Sequence, residues 1–180
     1  MLYPDVLGEA FRRTGAKLGY PVSSQEAAAL GASVPEWPAF DDSEEALHRI
    51  KKHYQQIILS NVHRNGFAAS NRRLGVDFDA ILTAEDIGSY KPNPANFDAL
   101  IARAKEMGHS GRLLHVAQSL FHDHAPAQRA GLPGVWINRR HDKPGWGATP
   151  DPRANIRPDL QFPTLIALAT AVDQAFAESD

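Results

Sequence analysis

A few short segments carry the side chains whose types and spacing fit chemistry. Ser60-Asn61 closes the apolar run Ile57-Ile58-Leu59, so a hydroxyl and an amide stand where they can hydrogen-bond an oxyanion without desolvating a charge. Capping of the following helix is the competing use of the same pair. Lys91 follows Gly88-Ser89-Tyr90 and precedes Pro92, in a loop leading into a helix. An ammonium held there can neutralise a carboxylate nucleophile or bind an acid substrate, although loop lysines are mostly solvated. Ala117-Gln118-Ser119 follows another apolar run and leads to Asp123. His115, His122 and His124 beside Asp123 have the composition of a metal-ligand set. That segment enters a helix, where residues two apart face different sides, which disfavours the metal reading. Arg139-Arg140 and His141 follow a further apolar run and can bind an anion or lie solvated on the surface. Trp37 and Trp146 sit in Pro/Gly-rich connectors, as pocket linings or as simple packing residues. The chain has no cysteine, which excludes disulfides, thiolate nucleophiles and thiolate metal sites.

The elements that must position these residues follow from the patterning. At 180 residues, 43% of them hydrophobic and 22% charged, the chain is long and apolar enough for one folded domain, with or without a small appendage. Nineteen basic against 21 acidic residues give a net charge of −2, which argues against a nucleic-acid surface. No apolar run approaches the roughly 20 residues that cross a bilayer, and the opening MLYPDVLGEAFRRTG lacks the pattern of a secretory signal. A soluble, cytoplasmic protein is expected. Residues 3–53 read as helical, with Ser23 or Ser24 opening an Ala-rich helix, a non-helical connector at Val34-Pro35-Glu36-Trp37-Pro38, and Ser43 capping a further helix. From there short apolar runs alternate with helices. Strands are predicted at 57–59, 80–82, 113–116 and 134–137, and helices at 67–74, 94–107 and 126–130. Residues 138–162 read as loop, ahead of a last helix at 164–177. The alternation implies a parallel sheet covered by helices, whose ligand crevice lies beyond the carboxyl ends of its strands.

The order of features resembles the haloacid dehalogenase superfamily, in its type II, L-2-haloacid dehalogenase-like branch. The matching segments are Ile57-Ile58-Leu59-Ser60-Asn61, then Ser89-Tyr90-Lys91-Pro92-Asn93-Pro94, then His115 to His124 (HVAQSLFHDH). Gly145-Trp146-Gly147-Ala148-Thr149-Pro150 and Arg157-Pro158-Asp159 look like a subgroup of this branch. The resemblance implies an α/β fold with a Rossmann-like parallel sheet, and residues 1–35 as a partial helical cap on a core formed by 36–180. It implies a hydrolase of small 2-halo carboxylic acids, working without a cofactor through an aspartyl ester that water then hydrolyses. Lys91, Ser60 and Asp123 are then the catalytic group: Lys91 keeps the nucleophile ionised, Ser60 with Asn61 holds substrate or nucleophile, and Asp123 positions water or pairs with Lys91. Asn61, Ser119, Gln118 and Trp37 are the substrate-binding candidates.

Several departures shape the expectation. The family's first motif, an apolar strand ending in the nucleophilic Asp, has no counterpart. Asp77-Phe78-Asp79 precedes its apolar run and so lies at the wrong sheet edge, and Asp41-Asp42 opens a helix, where acidic residues suit the dipole. The absent segment is the family's central strand. The sheet must therefore close differently, borrow a strand from a second copy or another chain, or belong to a truncated chain, and the chain by itself is expected to be inactive. Gln118 stands where phosphatases of the superfamily place a Mg²⁺-binding Asp, which disfavours metal-dependent phosphoryl transfer. The span from Val116 to Asp123 is one residue longer than the usual spacing, so His122 competes for the position assigned to Asp123. Phe97 stands where many dehalogenases carry Tyr. The alternatives are a non-catalytic protein that binds small carboxylates, and a Mg²⁺-dependent phosphatase completed by another chain.

Overall fold

In the computed structural model, residues 1–147, 149–152 and 155–178 are described; Ala148, inside the Gly145 to Pro150 segment quoted above, lies outside them. Helices α1 (Tyr3–Lys17) and α2 (Ser24–Ala32) form an antiparallel hairpin. Ser23 and Glu26 make a reciprocal capping box at the start of α2. The two helices approach so closely that a Cβ on Gly31 would stand 2.5 Å from the Pro4 carbonyl oxygen. The connector read as non-helical contains a single 3₁₀ turn, Val34–Glu36, which admits proline in its first positions because no internal N–H is needed there.

The rest of the chain supplies α3 (Ser43–Lys51), β1 (Ile57–Ser60), α4 (Arg64–Leu74), β2 (Ala80–Thr83), α5 (Ala84–Ile87) and α6 (Pro94–Glu106). After these come β3 (His115–Ala117), a π-helical turn (Leu120–His124), α7 (Ala125–Arg129), β4 (Gly134–Ile137), β5 (Leu160–Phe162) and α8 (Leu165–Ala177). Gly75, at φ 61°, ends α4 in the left-handed conformation that favours glycine. Two sequence expectations need correction, and one helix is new. The N-cap of α3 is Asp42 rather than Ser43, and its carboxylate accepts no bond from α3. It accepts instead from the Leu165 and Ile166 amides at the start of α8 (2.8 and 3.2 Å). The supposed loop 138–162 ends in a strand, β5, and α5 follows β2 directly on the Thr83–Asp86 capping box.

All strand pairings are parallel, but they fall into two sheets, β1-β2 and β3-β4-β5. Among the described residues β1 and β3 each have one edge without a strand partner. Helix α6 spans the two sheets: Phe97 and Leu100, with Ala127, form a core against Ile57, Leu59 and Leu82 on one side and Leu113 and Leu132 on the other. Val135, Ile137 and Leu168 form a further core with Ile50 of α3. Asp79 pairs with Lys51 and accepts from the Gln56 amide at 2.7 Å, which anchors the amino end of β1, away from the crevice.

Candidate active site

The carboxyl ends of β1, β2, β3 and β4 place Ser60, Thr83, Ala117 to Ser119 and Asn138 along one edge of the α/β core. Lys91 enters this edge from the loop before α6, and that loop is fixed from several directions. Asn61 accepts from the Lys91 amide at 2.7 Å and donates to the Lys91 carbonyl at 3.1 Å. Asn93 caps α6 through the Ala95 amide, and the buried Asn96 donates to Ser89 Oγ. The consequence is an ammonium held with little freedom: Lys91 Nζ donates to the Leu59 carbonyl at 2.8 Å and to Asp123 Oδ1 at 2.7 Å, with both side chains only 11% exposed.

Asp123 reaches that position through the π-helical turn. A turn closed by i→i+5 bonds accommodates one more residue than an α-helical turn, and such bulges recur at functional sites. Within this turn Asp123 bonds Lys91, whereas His122 bonds Ser119 and feels the Lys91 charge without a hydrogen bond to it. Ser119 caps the turn, its Oγ accepting from the His122 amide at 3.0 Å and lying 3.1 Å from His122 Nδ1. His115, at the start of β3, brings Nε2 to 3.3 Å from Asp123 Oδ1, the oxygen that also binds Lys91. Burial drives the Asp123 carboxyl upward, but the His115 hydrogen bond and the Lys91 charge outweigh it and hold the group at about 2. His122 is shifted down by burial and by Lys91, against the opposing pull of Asp123, so it is neutral at pH 7. His124 is also shifted down by burial and lies 3.0 Å from the Ala117 carbonyl.

The histidines that suggested a metal set thus engage separate partners: His115 meets Asp123, His122 meets Ser119, and His124 meets Ala117. Gln118 is exposed and offers its backbone carbonyl to Trp136 Nε1 at 2.8 Å. Ser60 Oγ lies 3.4 Å from the Val62 amide, a weak turn contact that leaves its hydroxyl proton free of that bond. Trp37 stands in the connector, with its indole N–H bonded to Ser33. Phe97 is fully buried in α6 and lies edge-on to His115 at 5.3 Å between ring centroids. Of the two consecutive arginines, Arg139 pairs with Asp42 at 2.9 Å and stacks over Phe40, so it joins the carboxyl end of β4 to α3 rather than facing an anion. Sequence reasoning missed His115 as a partner of Asp123, because eight residues separate them and only the π-turn brings them together.

The result is a largely desolvated Lys–Asp pair held at the carboxyl edge of a parallel α/β core. No family model and no curated protein matches the sequence. Solved structures do. The L-2-haloacid dehalogenase of Xanthobacter autotrophicus superposes with a TM-score of 0.77 at 18% identity, covering 96% of this chain and 76% of that one. The magnesium-bound putative HAD-hydrolase YfnB of Bacillus subtilis gives 0.70 at 20%, covering 96% and 74%. The L-2-haloacid dehalogenase RSc1362 gives 0.75 at 22%, covering 96% and 73%. The chain has the α/β fold of these haloacid dehalogenase structures.

Proposed function

We propose that the chain is a haloacid dehalogenase-like hydrolase of small 2-halo carboxylic acids that is inactive by itself. The observation that carries this reading is the Lys91 ammonium, nine-tenths desolvated, bonded to Asp123 and to the Leu59 carbonyl at the free edge of β1. A carboxylate placed beside it stays ionised and nucleophilic. In the proposed reaction that carboxylate attacks C2 of the acid, and the halide leaves with the bonding pair. Water then cleaves the ester, giving the 2-hydroxy acid and a proton and restoring the carboxylate. Asn61 positions Lys91 through its backbone, Asp123 fixes the ammonium, and Ser60 and Ser119 supply hydroxyls along the crevice, with Gln118 at its margin; Trp37, bonded to Ser33 in the connector, has no contact with this group.

None of the acids considered in the sequence stands at the Lys91 group except Asp123, whose charge Lys91 already balances. The attacking carboxylate is therefore proposed to arrive on an extended apolar segment that pairs with the free edges of β1 and β3. The test measures chloride release from L-2-chloropropionate by the chain alone, by its Lys91→Ala variant, and by each with an added apolar peptide ending in Asp. The expected outcome is no release by the chain alone and Lys91-dependent release with the peptide. Lys91-dependent release without any peptide would overturn the claim that the chain alone is inactive. Binding of 2-chloropropionate with no turnover under any condition would favour a carboxylate-binding protein over a hydrolase.

A further inference from the structure

A cavity at the same sheet edge shares Gln118 and Asn138 with the edge described above, but none of Lys91, Asp123, Ser60 or Asn61 lines it. It encloses about 120 Å³ between the π-turn, the carboxyl end of β4 and the segment that follows, with Trp136, Arg140, His141, Lys143 and Trp146 in its wall. None of the side chains lining it is acidic. Arg140 differs sharply from its neighbour: Arg139 is neutralised by Asp42, whereas Arg140 has no carboxylate partner among the described residues. Its Nη2 donates to the Pro144 carbonyl at 3.0 Å, and its Nε is buried with no hydrogen-bond partner. The Gly145-Trp146-Gly147 turn closes over it, with both glycines at positive φ (73° and 67°). A Cβ on Gly147 would stand 2.7 Å from Arg140 Cδ, so only glycine lets the backbone lie on that side chain. Trp136 is pinned by its bond to the Gln118 carbonyl and presents a fixed indole.

The Gly147 backbone covers Nε, while the rest of the guanidinium makes one protein bond, from Nη2 to Pro144, which leaves donors of the planar fork for an anion in the cavity. Two permanent cations without a counter-charge select an anion, and two indoles select a flat apolar body attached to it. We propose that this cavity binds an aromatic carboxylate, its carboxylate on Arg140 and Lys143 and its ring against Trp136 and Trp146. The site is independent of Lys91, and its occupancy does not require turnover.

The test is isothermal titration calorimetry of the whole chain with benzoate, cyclohexanecarboxylate and inorganic phosphate. Benzoate should bind saturably and tighter than either of the others. Arg140→Met should weaken it at least tenfold, whereas Lys91→Ala should leave it within twofold. Lys143→Met and Trp146→Ala change exposed side chains and keep the test open if Arg140→Met does not fold; each should weaken benzoate several-fold. Unchanged benzoate affinity in these variants would overturn the proposal. So would loss of binding in Lys91→Ala, which would place the ligand at the Lys91 group instead. Phosphate binding as tightly as benzoate would overturn the aromatic part and leave a simple anion site.

Discussion

Replacing Lys91 by Met keeps the aliphatic stem and removes the charge, and it tests the site independently of any substrate. In the variant Asp123 remains buried at 8% exposure, and the Leu59 carbonyl loses its donor. Breaking a buried ion pair from one side costs about 3–5 kcal/mol, because the other charge stays behind without its partner. His115 remains 3.3 Å from the same carboxylate oxygen, which puts the expectation at the low end, about 3 kcal/mol. The pH dependence gives a second, sharper signature. Asp123 is depressed from 3.8 to about 2 in the fold, so its contribution is complete above the unfolded value and disappears as pH falls through the folded one. The depression corresponds to about 2 kcal/mol lost between roughly pH 4 and pH 2. In Lys91→Met the Asp123 carboxyl titrates higher, so less stability remains to be lost over that interval. Urea unfolding at pH 7, 4, 3 and 2 should show the two proteins about 3 kcal/mol apart at neutral pH and converging in acid. A neutral-pH difference below about 0.5 kcal/mol would refute the account of the pair, since that is the range of an ordinary surface substitution. A difference that stays constant down to pH 2 would refute the assignment of the acid transition to Asp123.

Other substitutions probe separate parts of the argument. His115→Phe keeps the ring packed on Phe97 but removes a bond to Asp123; the acid transition should shift upward in pH, by less than in Lys91→Met, as read by the same unfolding series. Arg139→Ala should cost about 1–3 kcal/mol in urea unfolding, through the loss of a partly buried ion pair and the contact with Phe40. Burial pushes the Asp42 carboxyl up, but Arg139 and the Ile166 and Leu165 amides hold it below its ordinary value, so that contribution too is lost as pH falls below the usual carboxylate range. Gly31→Ala should loosen the α1/α2 hairpin by about 1–3 kcal/mol, visible as faster amide hydrogen exchange in both helices and not in α6.

The parallel α/β core was legible because its strands are compact apolar runs: Ile57 to Leu59, Ala80 to Leu82 and Gly134 to Ile137 are strand in the structure as read. β5 was not, because Leu160-Gln161-Phe162 is too short to show alternation and follows a Pro-rich stretch; among the described residues it pairs with β4 alone, and Leu160 is 52% exposed. Lys91, Asn61 and Asp123 could be named from motif order, but their relations could not. Nothing local says that the Asn61 amide holds the Lys91 backbone thirty residues away, or that Arg139 finds Asp42. The π-turn is the intermediate case. The sequence showed one residue too many, and only three-dimensional packing could decide whether His122 or Asp123 bonds Lys91.

The π-turn and the free strand edges meet at Lys91. Two half-sheets with no strand pairing between them among the described residues must be held in register by other means, and α6 covers both with Phe97 and Leu100 at the shared core. Lys91, in the loop just before α6, adds the polar link: one ammonium bonds the Leu59 carbonyl of the first sheet and the Asp123 carboxylate that follows the second. The bond to Leu59 uses a carbonyl that no strand claims. An extended segment pairing with β1 would therefore dock beside Lys91 and bring its own carbonyls and side chains within reach of that ammonium. The same geometry that stabilises the two halves without such a segment also selects what its last residue should be, because a carboxylate there gains the ammonium and an apolar residue gains nothing. Added peptides ending in Asp and in Leu should consequently differ in affinity by about tenfold or more for the unmodified chain, and should bind alike to Lys91→Met.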